Sequence, residues 1–496
     1  MHVDVAIIGS GFGGLGAAIR LRQRGIDDVV ILERSSQLGG TWRDNTYPGC
    51  RVDVPSALYS FSFAPNPDWT STYSYQAEIW AYLERVASDY HLNELIRFDH
   101  TVSAVTFDET ARRWRLVTSH GHVEARAVVL AVGGLSAPRL PEIDGVGSFT
   151  GPVMHTAQWD DAVVLAGRRV GVIGTGASAI QVVPEIAPVV GSLAVFQRTP
   201  SWVLPHEGHP VTSRTRALFH RLPVAQRLQR LWQYATRERL VLGFVKDPQR
   251  MVVAEKWGRQ LLDAQVADPE LRTRLTPAYR LGCKRALLSN DFYPAIGRDN
   301  VSLITDAITR IEPGGVRTAD GVLHELDVLI YATGFHVTDN PIGDIVTGTT
   351  GVKLAEAFCG ELPAYKGTTF PGFPNLFMLG GPNTALGHSS IIYMIESQLN
   401  YVGRALEVAL RRGALVEPTP IAAAAWTNAL RAKLPGTVWG TGCSSWYLND
   451  LGLNTTIWPG FTFEYRRATR HFVAQDHRVT VPHDGGQRAD TRTPAV

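Results

Sequence analysis

Two glycine fingerprints limit what this chain can fold into. The first, Gly9-Ser10-Gly11-Phe12-Gly13-Gly14, follows an apolar run at 3–8 and precedes helical periodicity over 15–24, which Gly25 stops. Unbroken apolar runs of this length suit parallel strands covered on both faces. A second such run, at 29–32, ends on Glu33. The spacing predicts a strand–turn–helix–strand unit whose helix N-terminus faces a pyrophosphate. Gly9 permits the tight turn, Gly11 lets the backbone reach the phosphates, and Gly14 lets helix and strand pack closely. Glu33 is placed to accept hydrogen bonds from an adenosine ribose. The pattern returns at 169–196, around Gly174-Thr175-Gly176-Ala177-Ser178-Ala179. There no acid closes the second strand. Arg198 and Thr199 stand in its place, a cation and a hydroxyl suited to a ribose 2′-phosphate. Two such units predict an α/β chain with two Rossmann-like dinucleotide-binding domains.

At 496 residues the chain exceeds one hydrophobic core. We expect a first dinucleotide domain in two parts, 1–143 and 341–481, and a second at 144–340 with a helical insertion at about 205–282. Strand-like sequence at 102–107, 114–118 and 123–131 belongs to the first domain. Strand-like sequence at 301–304, 321–323 and 326–331 resumes the second, and a helix is expected at 391–411. The polar tail, 482–496, reads as disordered. A net charge of +2 provides no field for nucleic acid. No stretch reaches the roughly 20 apolar residues of a membrane span. Cys50, Cys283, Cys359 and Cys443 lie far apart, with no C-x-x-C. That argues against a disulfide framework, a zinc site and a redox dithiol, and for reduced thiols in the cytoplasm. His120, His122, His206 and His209 lack clustered carboxylates and read as solvated, so no metal is expected. The insertion carries Arg214, Arg216, Arg221, Arg227, Arg230, Arg237 and Arg239 among leucines, Trp232 and Phe244. It reads as a lid packed on its own domain, with peripheral membrane contact the less favoured alternative.

Two dinucleotide sites imply hydride transfer from a nicotinamide to a flavin, here NADPH to FAD. Disulfide reductases, electron-transfer reductases and monooxygenases share that plan, and the missing C-x-x-C removes the first. Residues 149–160 read F-x-G-x-x-x-H-x-x-x-W-D, with Phe149, Gly151, His155 and Trp159. Gly39-Gly40-Thr41-Trp42, Tyr47-Pro48-Gly49 and Asp53 form a second long signature. Both resemble fingerprints of the type I Baeyer–Villiger monooxygenases. Residues 327–335 resemble the ATG segment of flavin monooxygenases. Gly282-Cys283-Lys284-Arg285, Gly380-Gly381-Pro382-Asn383, Ser445-Trp446-Tyr447 and Trp458-Pro459-Gly460 resemble further family segments. The resemblance extends to about residue 466.

It implies an enzyme in which NADPH reduces FAD, oxygen adds at flavin C4a, and the resulting peroxide attacks a ketone to give an ester or lactone. Arg285 would be the fixed cation steadying that peroxide, because a guanidinium stays charged and offers several donors. Asp53 would hold Arg285 in place. Gly40, Thr41 and Trp42 would border the flavin. Lys284 would join Arg198, Thr199 and Ser178 around NADPH. His155 and its motif imply a conformational rather than a proton-transfer role. Trp439 or Trp446 would cover the site or belong to the core. The helix after Gly387-His388-Ser389-Ser390 would point its N-terminus at the flavin's polar edge, or those residues would serve only in the core or as a cap. The substrates expected are O2 and a small organic ketone or sulfide. Two alternatives stay open. One is an N- or S-oxygenase of soft heteroatoms, which has no need of Asp53 and Arg285. The other is an NADPH-dependent flavin reductase or electron carrier without oxygen insertion.

Overall fold

A computed structural model describes residues 1–482, so the tail expected at 482–496 lies, but for its first residue, outside the described residues. Strands His2–Ile8 and Val29–Leu32 pair in parallel, with Val5 opposite Val29. Every residue of the second is buried, which requires cover on both faces and explains the unbroken apolar run. Helix Phe12–Arg22 connects them. A Cβ at Gly14 would lie 1.8 Å from the Gly9 carbonyl oxygen, so only glycine lets this helix sit on its strand. Gly9 itself has φ +101°, the left-handed region that glycine occupies without steric cost.

Strand Gly121–Leu130 flanks the first strand in parallel. It continues through antiparallel pairing into Arg113–Thr118 and Val102–Asp108. Leu376–Met378, from the last third of the chain, also pairs in parallel with Val128–Leu130. The first sheet is therefore assembled from both ends of the sequence. Helix Ile391–Arg412 packs on helix Phe12–Arg22.

The second sheet is wholly parallel, in the order Val301–Ile304, Ser192–Phe196, Arg169–Ile173, Val328–Tyr331, Val153–His155. Of residues 321–323, expected as a strand, 321 and 322 form a turn and only Leu323 begins a strand. Gly321 has φ +85°, and the Asp320 carboxylate accepts from the Val322 N–H at 3.1 Å. The strands lie on either side, Gly315–Thr318 and Leu323–Glu325. The alternation there is that of a tight hairpin, too short to separate from a strand by pattern alone.

The insertion leaves and returns through a two-stranded parallel pair, Val203–Leu204 with Leu287–Leu288. That pairing fixes the chain immediately after Arg285. The thiol expectation needs correction here. Cys283 and Cys443 form a disulfide with Cα atoms 6.2 Å apart, while Cys50 and Cys359 are free. The two bonded cysteines are 160 residues apart, so no local spacing announces them. His206 also departs from its expected solvation. It packs on Tyr73 with ring centroids 4.8 Å apart, and burial, with the Arg51 charge, lowers its pKa to about 4. Among the described residues no helix is long and apolar enough to cross a membrane.

Candidate active site

The first fingerprint and the Gly39-Gly40-Thr41-Trp42 segment meet. Gly39 N–H donates to the Ser10 carbonyl at 3.1 Å, and a Cβ at Gly40 would lie 3.2 Å from Gly11 Cα. Two side-chain-free turns thus face each other at a helix N-terminus, a shape that accepts a pyrophosphate. Glu33 sits beside them, buried. Its carboxylate accepts from Ser10 Oγ at 2.6 Å, Ser10 N–H at 3.0 Å and Arg43 Nη1 at 2.8 Å. Burial pushes the Glu33 pKa up, but the Ser10 bond and the Arg43 charge outweigh it and hold the carboxyl below its ordinary value. Glu33 is therefore an ionised acceptor at neutral pH. Trp42 is buried with its Nε1–H on Tyr59 Oη at 3.2 Å.

The Tyr47-Pro48-Gly49 signature bridges the two nucleotide units. Tyr47 Oη donates to Gln181 Oε1 at 2.9 Å, and Gln181 Nε2 donates to the Arg51 carbonyl at 3.1 Å. Gln181 belongs to helix Ala179–Ile186 of the second unit. Beyond this bridge, Arg285 and Asp53 come together across 232 positions of sequence. Arg285 Nη2 and Nε lie 2.6 and 2.8 Å from Asp53 Oδ2, and Nη1 donates to the Leu386 carbonyl at 3.0 Å. Burial opposes the Arg285 charge, but Asp53 outweighs it and the guanidinium pKa is raised. Arg285 thus stays cationic and is held on two sides.

Around this cation lie Tyr59, Tyr279 and Leu281, which sequence reasoning did not single out, beside Tyr447, Trp439, Phe244 and His388, which it named. Tyr59 and Tyr447 both have pKa values pushed up to about 12, chiefly by burial, so both phenols keep their protons at neutral pH. Tyr447, Trp439, Phe244 and Leu281 share one apolar cluster, with Tyr279 packed against it. The Phe244 ring also lies 6.2 Å from His388. Among the described residues Tyr447 Oη, Tyr279 Oη, Trp439 Nε1 and His388 Nδ1 are buried without a hydrogen-bond partner. Buried polar atoms are ordinarily satisfied, so this cluster suits a polar ligand that supplies the missing bonds. Of the two tryptophans expected as covers, Trp439 is buried in this cluster and Trp446 is 43% exposed. His388 Nε2 lies 3.4 Å from buried Glu238, a link from the insertion that the sequence could not disclose. Ser390 caps helix Ile391–Arg412 through the Ile392 N–H, so the cap reading holds for that residue.

At the second fingerprint, a Cβ on Gly176 would meet nothing within 4 Å, leaving the turn open to phosphate. Arg198 is exposed, and burial together with the Arg198 charge pulls the Lys284 ammonium below its usual pKa. Neither cation has an ion-pair partner among the described residues. Two neighbouring cations with no intervening acid are an arrangement suited to an anion. Thr199 contributes its carbonyl to Thr175 Oγ1 at 3.3 Å, and Ser178 begins the helix.

The third group lies elsewhere. His155 ends the edge strand of the second sheet, opposite Tyr331, and its ring packs edge-on to Phe335. Burial lowers its pKa to about 4, so it is neutral at physiological pH. Phe149 is buried in the second domain, a Cβ at Gly151 would lie 2.5 Å from the Asp327 carbonyl oxygen, and Trp159 is partly buried. The ATG segment crosses beside it, where Arg139 N–H donates to the Gly334 carbonyl at 2.9 Å. The motif thus abuts the crossover between domains, and among the described residues it shares no hydrogen bond or ion pair with Arg285. A cavity of about 470 Å³ is bordered by Thr150, Arg169, Glu325 and Asp327. Arg169 there already pairs with Glu325 and Asp327.

A family model described as pyridine nucleotide-disulphide oxidoreductase matches residues 6–213. A Baeyer–Villiger monooxygenase of Streptomyces coelicolor is 48% identical over 485 residues, covering 97% of this chain and 93% of the relative. The chain belongs to the Baeyer–Villiger monooxygenase family. Cyclohexanone monooxygenase from Rhodococcus sp. Phi1, solved with NADP+, aligns with a TM-score of 0.86 and 30% identity, over 97% of this chain and all of that one. OTEMO, solved with FAD and NADP, aligns with a TM-score of 0.85 and 26% identity, over 96% and 99%. This family member is a flavin-dependent monooxygenase with FAD and NADPH as cofactors. The reductase alternative without oxygen insertion is set aside. The residues of both fingerprints fit those cofactors on the geometry above.

In this Baeyer–Villiger monooxygenase the disulfide ties the chain just before Lys284-Arg285 to the loop carrying Trp439, Trp446 and Tyr447. A crosslink between such distant positions restricts the unfolded chain, contributing about 2–5 kcal/mol. Replacing Cys443 with Ser is expected to lower Tm, and dithiothreitol should lower the Tm of the parent enzyme toward that of the variant. The reductant should leave the variant itself unchanged. A parent Tm indifferent to reductant would mean that the pair is not bonded in solution.

Proposed function

We propose that the enzyme converts a ketone, O2, NADPH and a proton into an ester or lactone, water and NADP+, with Arg285 as the residue on which oxygen insertion depends. The observation that carries this reading is the Arg285–Asp53 pair at the junction of the two nucleotide units. A heteroatom oxygenase has no need of that pair. When bound, FAD reduced by NADPH supplies the activated oxygen. Residues 1–143 and 341–481 hold FAD, through Gly9, Gly11, Gly14, Glu33, Gly40, Thr41 and Trp42. Residues 144–340 hold NADPH, through Gly174, Gly176, Ser178, Arg198, Thr199 and Lys284. Asp53 fixes the Arg285 fork through two of its nitrogens, and the Leu386 carbonyl takes a third donor. The remaining Nη protons are free to face developing negative charge, which a preorganised cation stabilises without reorganisation. Tyr447 and Trp439 wall this region and limit water. Phe149, Gly151, His155 and Trp159 set the angle between the domains, and neutral His155 moves no proton. A reaction driven by NADPH suits a cytoplasmic enzyme.

Incubating the FAD-loaded enzyme with NADPH, 18O2 and a panel of cyclic ketones and aryl sulfides tests the assignment. Ester or lactone carrying one labelled oxygen, with ketones preferred over sulfides, is the expected result. Sulfoxide as the sole oxygenated product would overturn the ketone reading.

A further inference from the structure

The insertion carries its polarity inside out. In helix Pro223–Glu238, Gln226, Gln233 and Glu238 are buried. Gln226 Nε2 donates to the Asn66 carbonyl at 2.5 Å, and Arg230 turns inward to the Ala57 carbonyl and Ser60 Oγ. Arg237 donates to Tyr73 Oη, and Glu238 accepts from Thr462 N–H and Oγ1 at 3.1 and 2.6 Å. The helix therefore packs through polar groups on residues 57–73 and on Thr462 of the first nucleotide unit, not on its own domain as the sequence reading expected, because its inward polar groups find their partners there. The opposite stripe, Val224, Leu228, Leu231 and Trp232, is 58, 61, 60 and 67% exposed. These positions follow the i, i+4, i+7, i+8 spacing of one helical face. Leu218 and Leu222, from the preceding helix Ser213–Arg221 and the turn, add further exposed apolar surface.

The charge on this hairpin has one sign. From Ser213 to Arg239 the only acidic residue is Glu238, which is buried and already bonded, while Arg214, Arg221, Arg227 and Arg239 are exposed. His220 pairs with Asp68 from outside the segment. An apolar stripe with tryptophan and leucine, bordered by arginines, matches a helix lying in the plane of a lipid interface. We propose that this face docks on an anionic phospholipid surface, with the stripe at the acyl boundary and the arginines among the headgroup phosphates. A second copy of the chain fits less well, because a twofold contact would set the same arginines against one another. Contact is interfacial, since no described helix suits a membrane span.

Sedimentation of the full-length, FAD-loaded enzyme with vesicles tests this. One set is phosphatidylcholine alone; the other contains phosphatidylglycerol as well. Binding should favour the anionic vesicles and weaken with added salt. The triple variant Leu228→Glu, Leu231→Glu, Trp232→Glu should lower partitioning about tenfold or more, with its NADPH-driven turnover and circular dichroism unchanged. All three side chains are exposed, so the fold does not depend on them. Equal sedimentation of parent and variant would overturn the proposal, as would absence of binding to anionic vesicles. So would a dimer, seen by light scattering, that the triple variant dissolves.

Discussion

Replacing Arg285 with Ala is expected to reduce ester formation by about 10²–10³-fold or more, the range seen when a preorganised charge-stabilising donor is removed. NADPH should still be consumed, because both fingerprints are intact and hydride transfer does not call on this guanidinium. The oxygen would leave as hydrogen peroxide. Arg285→Lys separates charge from geometry. Lysine keeps the cation but cannot bond Asp53 and Leu386 at once from a planar fork, so its activity should fall between parent and Ala variant. Asp53→Ala should also lose oxygenation, through a cation no longer held from two sides. Steady-state assays of ester, peroxide and NADPH together check all three variants.

The second large effect concerns the cofactor. Arg198→Ala and Lys284→Ala each remove one cation from a pair that has no acid between them. A charge-assisted bond contributes about 1.5–3 kcal/mol, so each change should raise the NADPH KM about 10–100-fold. The NADH KM should hardly move, since NADH has no 2′-phosphate. Equal effects on the two cofactors would remove both residues from phosphate recognition. A vanishing effect at Lys284 alone would leave Arg198 as the sole contact.

Much of this arrangement is legible in the chain because it rests on local patterns. The run at 3–8, the turn at 9–14 and the strand at 29–32 are contiguous, and the strand at Arg169–Ile173 appears where the apolar run sits. Glycine spacing carries steric information directly: the 1.8 Å approach at Gly14 leaves no alternative residue. Asp53 and Arg285 could be paired only through family signatures, since nothing local links positions so far apart. Other features have no local trace. Leu376–Met378 joins a sheet built by the first third of the chain, and Cys283 meets Cys443 only after the insertion returns. Glu238 reaches His388 and Thr462 across the fold. The insertion misleads for a physical reason. Helical periodicity reveals that one face is apolar, but not which face turns inward, and here the glutamines do.

In the proposed reaction Arg285 directs activated oxygen into the ketone rather than into peroxide. Single turnover tests it most directly: enzyme reduced by NADPH without air, then mixed with oxygen and ketone, with products counted per flavin. We expect nearly one ester per flavin for the parent, and peroxide with essentially no ester for Arg285→Ala after equally complete flavin reduction. Undiminished ester from the Ala variant would contradict it.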